Sequence, residues 1–269
     1  MTRVDRIANV MPVNRYFLLR TNLHINAARE PDAGNTNKFW KVKPVLDAVR
    51  NCCVELPREE YCAVDEQMIP FTGRVPAKQV IKSKPNPVGI KNFVLCGKSG
   101  RALDFEFYQG KGTGIPQETK HLGLSASVVI LLTNTIPRQM KYKICFDNYF
   151  TGIPLIRELK SKGILSVGTA RGNRLMGCPL KAPNKFKKEK RGSMEMKVSG
   201  EGDICVVRWM DNGPVTLVSN FVGIESKDQV RRWSAAAKEH IMVDRPKCVQ
   251  VYNDNMGGVD KVGFSYCPL

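Results

Sequence analysis

The sequence predicts an α/β protein that opens with helices and carries a β-rich insertion, and three observations lead to that reading. Two segments of helical apolar spacing come first, short apolar runs bounded by turn formers follow, and a lysine-rich stretch runs into a hairpin signature. At 269 residues the chain is long enough to bury a sizeable core.

The first helix is expected around Met11, Tyr16, Leu18, Leu19 and Leu23, with Pro12 suited to a helix start. After a polar stretch from Asn26 to Asn37, a second helix is expected from Trp40 to Val54, with Val45, Leu46 and Val49 on one face and Pro57 ending it. From Tyr61 the character changes to strands. Tyr-Cys-Ala-Val runs into Asp65, and Ile90 to Cys96 is closed by a glycine turn before Ala102 to Tyr108. Ser125 to Leu132 reads as a buried helix and Tyr142 to Phe146 as a buried strand leading into Asp147. Pro154 to Lys162 is a helix stopped by Gly163, ahead of a strand from Ile164 to Val167. Between Arg171 and Gly202 the chain reads as a basic loop, and Asn212-Gly213 joins two strands, Ile204 to Trp209 and Val215 to Ser219. The expected organisation is 1–58 helical, 59–170 first core part, 171–225 insertion and 226–269 second core part. Trp40, Trp209 and Trp233 are expected as buried or half-buried anchors.

Charge narrows the function classes. The formal net charge is +17, which favours a polyanionic partner, because each Lys or Arg that neutralises a phosphate releases condensed counterions. Nine cysteines with no CxxC pair, and three histidines without ligand spacing, predict neither a disulfide scaffold nor a zinc site; a reducing compartment follows. No apolar run approaches the ~18 residues of a membrane span. The run Lys181, Lys185, Lys187, Lys188, Lys190 and Arg191 is either a solvated loop or a phosphate-backbone contact, and would also serve as a nuclear import signal.

Asp65 and Asp147 share a setting, each following a short apolar run and each followed by a polar residue and an aromatic or glycine segment. Carboxylates at strand ends are either loop-start acids or, on adjacent strands, ligands for divalent metal at a phosphodiester.

The motifs themselves are recognisable. Val64-Asp65-Glu66-Gln67-Met68-Ile69-Pro70-Phe71-Thr72-Gly73-Arg74, Cys145-Phe146-Asp147-Asn148-Tyr149-Phe150-Thr151-Gly152 and Tyr252-Asn253-Asp254-Asn255-Met256-Gly257-Gly258-Val259-Asp260 resemble, in order, the three catalytic segments of piggyBac-type transposases. Lys82-Ser83-Lys84-Pro85 resembles that family's basic stretch. The resemblance covers nearly the whole chain. It implies an RNase H-like mixed sheet, a DDD triad of Asp65, Asp147 and Asp260, Mg2+ or Mn2+ as cofactor, and strand nicking followed by strand transfer. DNA is the implied partner, with Arg74, Lys78, Lys82 and Lys84 placed to flank a bound backbone; the alternatives are an active cut-and-paste transposase and an interaction module that forms a homodimer or a heterodimer with full-length relatives. A nuclear location is expected, with no membrane association. Only nine residues follow Asp260, and Gly263 stands where the family places another aspartate, so the sequence predicts a triad with a poorly held third member, impaired catalysis and no zinc domain.

Overall fold

A computed structural model describes residues 9–27, 30–82 and 86–265, with side chains described up to 262. Its centre is a nine-stranded mixed sheet. Strand β1 (Tyr61–Pro70) pairs antiparallel with β3 (Val88–Gly97), which pairs in turn with β2 (Lys78–Val80) and β4 (Ala102–Phe107). On its other edge β1 runs parallel to β5 (Lys143–Phe146), and β5 parallel to β6 (Leu165–Thr169). Three antiparallel strands followed by two parallel ones make the mixed sheet of an RNase H-like core. The sheet does not stop there. Strands β7 (Met194–Val198), β8 (Cys205–Met210) and β9 (Pro214–Ser219) continue it through β9, antiparallel to β6, so the segment 171–225 shares the core sheet. Strand β7 stands where the sequence reads as loop: Met194-Glu195-Met196-Lys197-Val198 does alternate, but the strand is short, lies at the sheet edge and follows directly on the lysine-rich run.

Strand alternation separates two faces. Cys62, Val64, Phe93, Leu95, Ile144 and Phe146 are buried beneath α3 (Leu124–Thr133) and α4 (Ile153–Ser161). Between them on the opposite face lie Cys145, Val167, Val207, Trp209 and Leu217, covered by α6 (Lys247–Asn255). Beside these, Val94 and Cys96 receive Val259 and Val262 of α7 (Gly258–Ser265). A short helix α5 (Pro183–Phe186) pins the basic loop through buried Phe186.

The N-terminal helices form as expected but pack differently. Helix α1 (Val13–Asn22) buries none of its residues. Helix α2 (Lys43–Glu55) ends where Leu56, ahead of Pro57, turns extended, and Arg58 donates to the carbonyls of Cys53, Val54 and Leu56 at 3.0–3.2 Å. Val45 and Val49 stay exposed. Contact with β4 runs instead through Arg50, whose Nε lies 2.6 Å from Oδ1 of fully buried Asp104. A buried carboxylate must be paired, and that requirement outranks the apolar stripe in orienting α2.

The segment after β9 holds an element that the sequence pattern did not suggest, a two-stranded ribbon of β10 (Asp228–Ser234) and β11 (Glu239–Arg245). Its turn, Ala235-Ala236-Ala237-Lys238, contains no glycine or asparagine, and Lys238 supplies the left-handed conformation at φ 51°. Trp233 is 54% exposed here, whereas Trp209 is 2% exposed. The ribbon covers the sheet with one face only, so alternation turns Trp233 outward, against the expectation of an anchor. Among the described residues no helix is long and apolar enough to cross a membrane.

Candidate metal and nucleic-acid site

The last parallel pairs are Val64 with Phe146 and Phe146 with Gly168, so one residue further Asp65 in β1, Asp147 just past the end of β5 and Thr169 in β6 stand side by side. Alternation directs them to the face covered by α6. Asp65 does not end its strand as expected. Strand β1 continues to Pro70 against β3 after its partner β5 has stopped, which opens the sheet at this residue. One carboxylate oxygen each from Asp65, Glu66 and Asp147 lie within 4.8 Å of one another, and all three residues are half-buried.

Local hydrogen bonds orient two of these groups. Oδ1 of Asp65 accepts from the N–H of its neighbour Glu66 at 2.8 Å. Oδ1 of Asp147 accepts from the Tyr149 N–H at 2.9 Å, while the Thr151 hydroxyl donates to the Asp147 carbonyl at 2.7 Å. This turn feeds helix α4. It closes only because residue 168 is glycine: a Cβ there would meet Thr151 Oγ1 at 2.3 Å and the Phe146 carbonyl oxygen at 2.5 Å.

Burial raises the Asp65 pKa from 3.8 to about 7; the Glu66 N–H opposes the shift, and the charges of Glu66 and Asp147 add to it. The Asp147 pKa is also raised, first by burial, against hydrogen bonds from Tyr149 and Phe150 and the charge of Arg171. Over the pair stands Tyr252 of α6, its pKa pushed up to about 12 by burial, against a hydrogen bond with Thr169, and further by Asp147 and Asp65. Three crowded, partly dehydrated carboxylates with hard oxygen donors fit Mg2+ or Mn2+, whose charge offsets their mutual repulsion.

A family model described as Transposase IS4 matches residues 1–263. Human PiggyBac transposable element-derived protein 3 is 36% identical over 266 residues, covering 95% of this chain and 43% of that protein. Human PiggyBac transposable element-derived protein 2 is 34% identical over 260 residues, covering 95% and 43%. The chain belongs to the piggyBac-type transposase family. It spans less than half the length of these two relatives. Its fold matches a cryo-EM structure of a piggyBac transposase synaptic complex with hairpin DNA at a TM-score of 0.76 and 23% identity, covering 98% of this chain and 52% of that one.

Asp260, expected as the third member of the triad, is placed differently from Asp65 and Asp147. Helix α7 buries Gly258, Val259 and Val262 against β1 and β3, which leaves Asp260 on its exposed side. Among the described residues the acidic group comprises Asp65, Glu66 and Asp147, and Asp260 is not part of it. Glu66 and Tyr252 were both missed from the sequence. On a regular strand Glu66 would face away from Asp65, and Tyr252 signals only as a neighbour of the Gly257-Gly258-Val259-Asp260 motif.

The predicted cationic residues divide. Arg74, Lys82, Lys185, Lys187, Lys188 and Lys190 are exposed. Lys78 donates to the Gly73 carbonyl at 2.9 Å, and Lys181 pairs with Glu189 at 2.8 Å. Arg191 is clamped on Asp211 at 2.6 Å, and Lys84 lies outside the described residues.

Proposed function

We propose that this chain is a transposase-derived, nuclear DNA-binding protein whose carboxylate cluster holds a divalent cation beside a bound phosphodiester. The observation that carries this reading is the convergence of Asp65, Glu66 and Asp147 within 4.8 Å on one face of an RNase H-like sheet, in a chain of net charge +17. A solved relative with this fold is itself described as a complex with hairpin DNA, which supports DNA as the partner.

Asp65, Asp147 and Glu66 would ligate Mg2+ or Mn2+, which supplies Lewis-acid polarisation of a phosphoryl oxygen and activation of water. Tyr149 and Glu66, through their N–H groups, fix the two aspartates in orientation. Tyr252 and Thr169 close the site from above. With Asp260 turned outward, the cluster lacks the third aspartate of the DDD pattern, and strand cleavage by this chain is slow or absent. Arg74, Lys78, Lys82 and the loop from Lys181 to Arg191 contact the backbone, with Lys185, Lys187, Lys188 and Lys190 its exposed cations; the same loop serves nuclear import. Exposed Tyr16, Phe17, Leu18 and Leu19 on α1 favour a second reading, pairing with another copy or a full-length relative.

Replacing Lys185, Lys187 and Lys188 together by glutamine is expected to weaken duplex DNA binding and flatten the slope of log affinity against log salt by about 2.7, since each phosphate that is no longer neutralised accounts for about 0.9. Anisotropy titrations of the full chain across a salt series read both quantities. An unchanged slope would remove the loop from the interface, and a parent chain with no salt-dependent binding would refute DNA as the partner.

A further inference from the structure

We propose that the β10–β11 ribbon is a groove-inserting DNA element, with Trp233 and Arg231 on its contacting face. This inference rests on the DNA reading above and adds a surface to it.

The ribbon stands on the sheet face that carries Asp65 and Asp147. Its inner residues Val230, Ile241 and Val243 join the apolar cluster of Cys145, Val167 and Trp209. Its outer face is fixed by register: Arg231 opposite Met242 and Trp233 opposite His240. Both large apolar groups of that face are exposed, Trp233 at 54% and Met242 at 57%. The Trp233 ring already makes an edge contact with His240 at 5.2 Å, leaving a broad aromatic face to solvent.

The ribbon is braced at both its open end and its turn end. Arg245 grips Asp228 with two bonds of 2.9 and 2.5 Å, and Arg191 and Arg232 share Asp211 at 2.6 and 3.0 Å. Arg191 also donates to the Trp233 carbonyl at 2.9 Å, and the Trp209 indole N–H donates to that of Asp244 at 2.8 Å. Such bracing lowers the ordering cost of a contact made by the outer face. The basic loop lies alongside: Gly192 approaches the Asp244 backbone, and Lys190, Met242 and Asp244 line a groove of about 330 Å3. The acid in that groove is engaged, Asp244 by Lys227 at 3.6 Å and Gln229 at 3.0 Å.

Shape and chemistry select the partner. Two antiparallel strands span about 5 Å between backbones, and the major groove of duplex DNA, about 12 Å wide, admits such a ribbon. The turn of three alanines is slender enough to lead it in. Arg231 and Lys238 supply cations, while Trp233 and Met242 supply apolar contact for thymine methyls or unstacked bases.

The test is anisotropy of a labelled duplex with the full chain and the variants Arg231→Gln, Trp233→Ala and Trp233→Phe, with Lys120→Gln on the opposite sheet face as the charge control. The expected result is a loss of about tenfold in affinity for Trp233→Ala, most of it restored by Trp233→Phe, and a salt slope flatter by about 1 for Arg231→Gln. Unchanged affinity and slope in these variants, with the parent still binding DNA, would overturn the ribbon's role and leave the basic-loop reading standing. A parent that binds no duplex would overturn both. If the variants alter sedimentation of the free protein while DNA affinity holds, the face is a self-association surface and the proposal fails.

Discussion

Asp65→Asn is expected to raise the melting temperature of the metal-free protein at about pH 8 while removing its affinity for Mn2+. The two effects have one origin. Asp65 holds its proton to about pH 7 in the folded chain but to 3.8 when unperturbed, chiefly because it is buried. Between those values the folded state binds the extra proton, so folding stability falls as pH rises through the window, and the penalty is complete above it. An amide of the same shape carries no charge and escapes the penalty. It also cannot serve as a carboxylate ligand, and metal binding, which requires the deprotonated group, is lost. Thermal melts of parent and variant across that pH range should diverge as pH rises and converge below about pH 4. Added Mn2+ should stabilise the parent alone. A variant less stable than the parent at every pH would show that Asp65 contributes packing or hydrogen bonding that outweighs its charge.

Gly168→Ala is expected to destabilise the fold by about 3 kcal/mol, the upper part of the range for overpacking a closed core. The methyl would sit 2.5 Å from the Phe146 carbonyl oxygen and 2.3 Å from Thr151 Oγ1. Neither neighbour has room to move, since Phe146 and Thr151 are fully buried and Thr151 braces the Asp147 turn. Urea unfolding should show a lower midpoint with an unchanged m value, and Mn2+ affinity should fall in parallel because Asp147 moves with the turn. Removing Thr151 Oγ1 in the double variant Gly168→Ala with Thr151→Ala relieves one clash and leaves those with the Phe146 carbonyl and ring, so partial recovery is expected. A neutral Gly168→Ala would show that β6 and the Asp147 turn are more loosely packed than the structure has them.

The parts of this architecture that were legible share a local cause. Val64 and Phe146 end apolar runs that read as strands, and the acids after them stand out against those runs, so Asp65 and Asp147 were found without knowing the register. Their adjacency came from the parallel pairing of β1 and β5, which no local pattern encodes. The ribbon was illegible for the opposite reason. Residues 228–245 alternate, but their outward positions hold Arg231, Trp233 and Met242 and their turn holds alanines, so neither polarity nor glycine marks the element. Helix α2 was legible as a helix but its packing was not, because the pairing of Arg50 with Asp104 joins segments far apart in the chain. The motif around Asp260 was equally visible in the sequence, yet the side of α7 on which the residue falls depends on Val259 and Val262 reaching Val94 and Cys96 across the fold.

The most direct test of the metal-site account is an Mn2+ titration of the full chain at about pH 8, followed by electron paramagnetic resonance of the free ion, with Asp147→Asn and Asp260→Asn alongside. Saturable binding in the parent, lost in Asp147→Asn and kept in Asp260→Asn, is the predicted result. Equal binding by the parent and Asp147→Asn, or none in the parent, would contradict a divalent cation site at the end of β5.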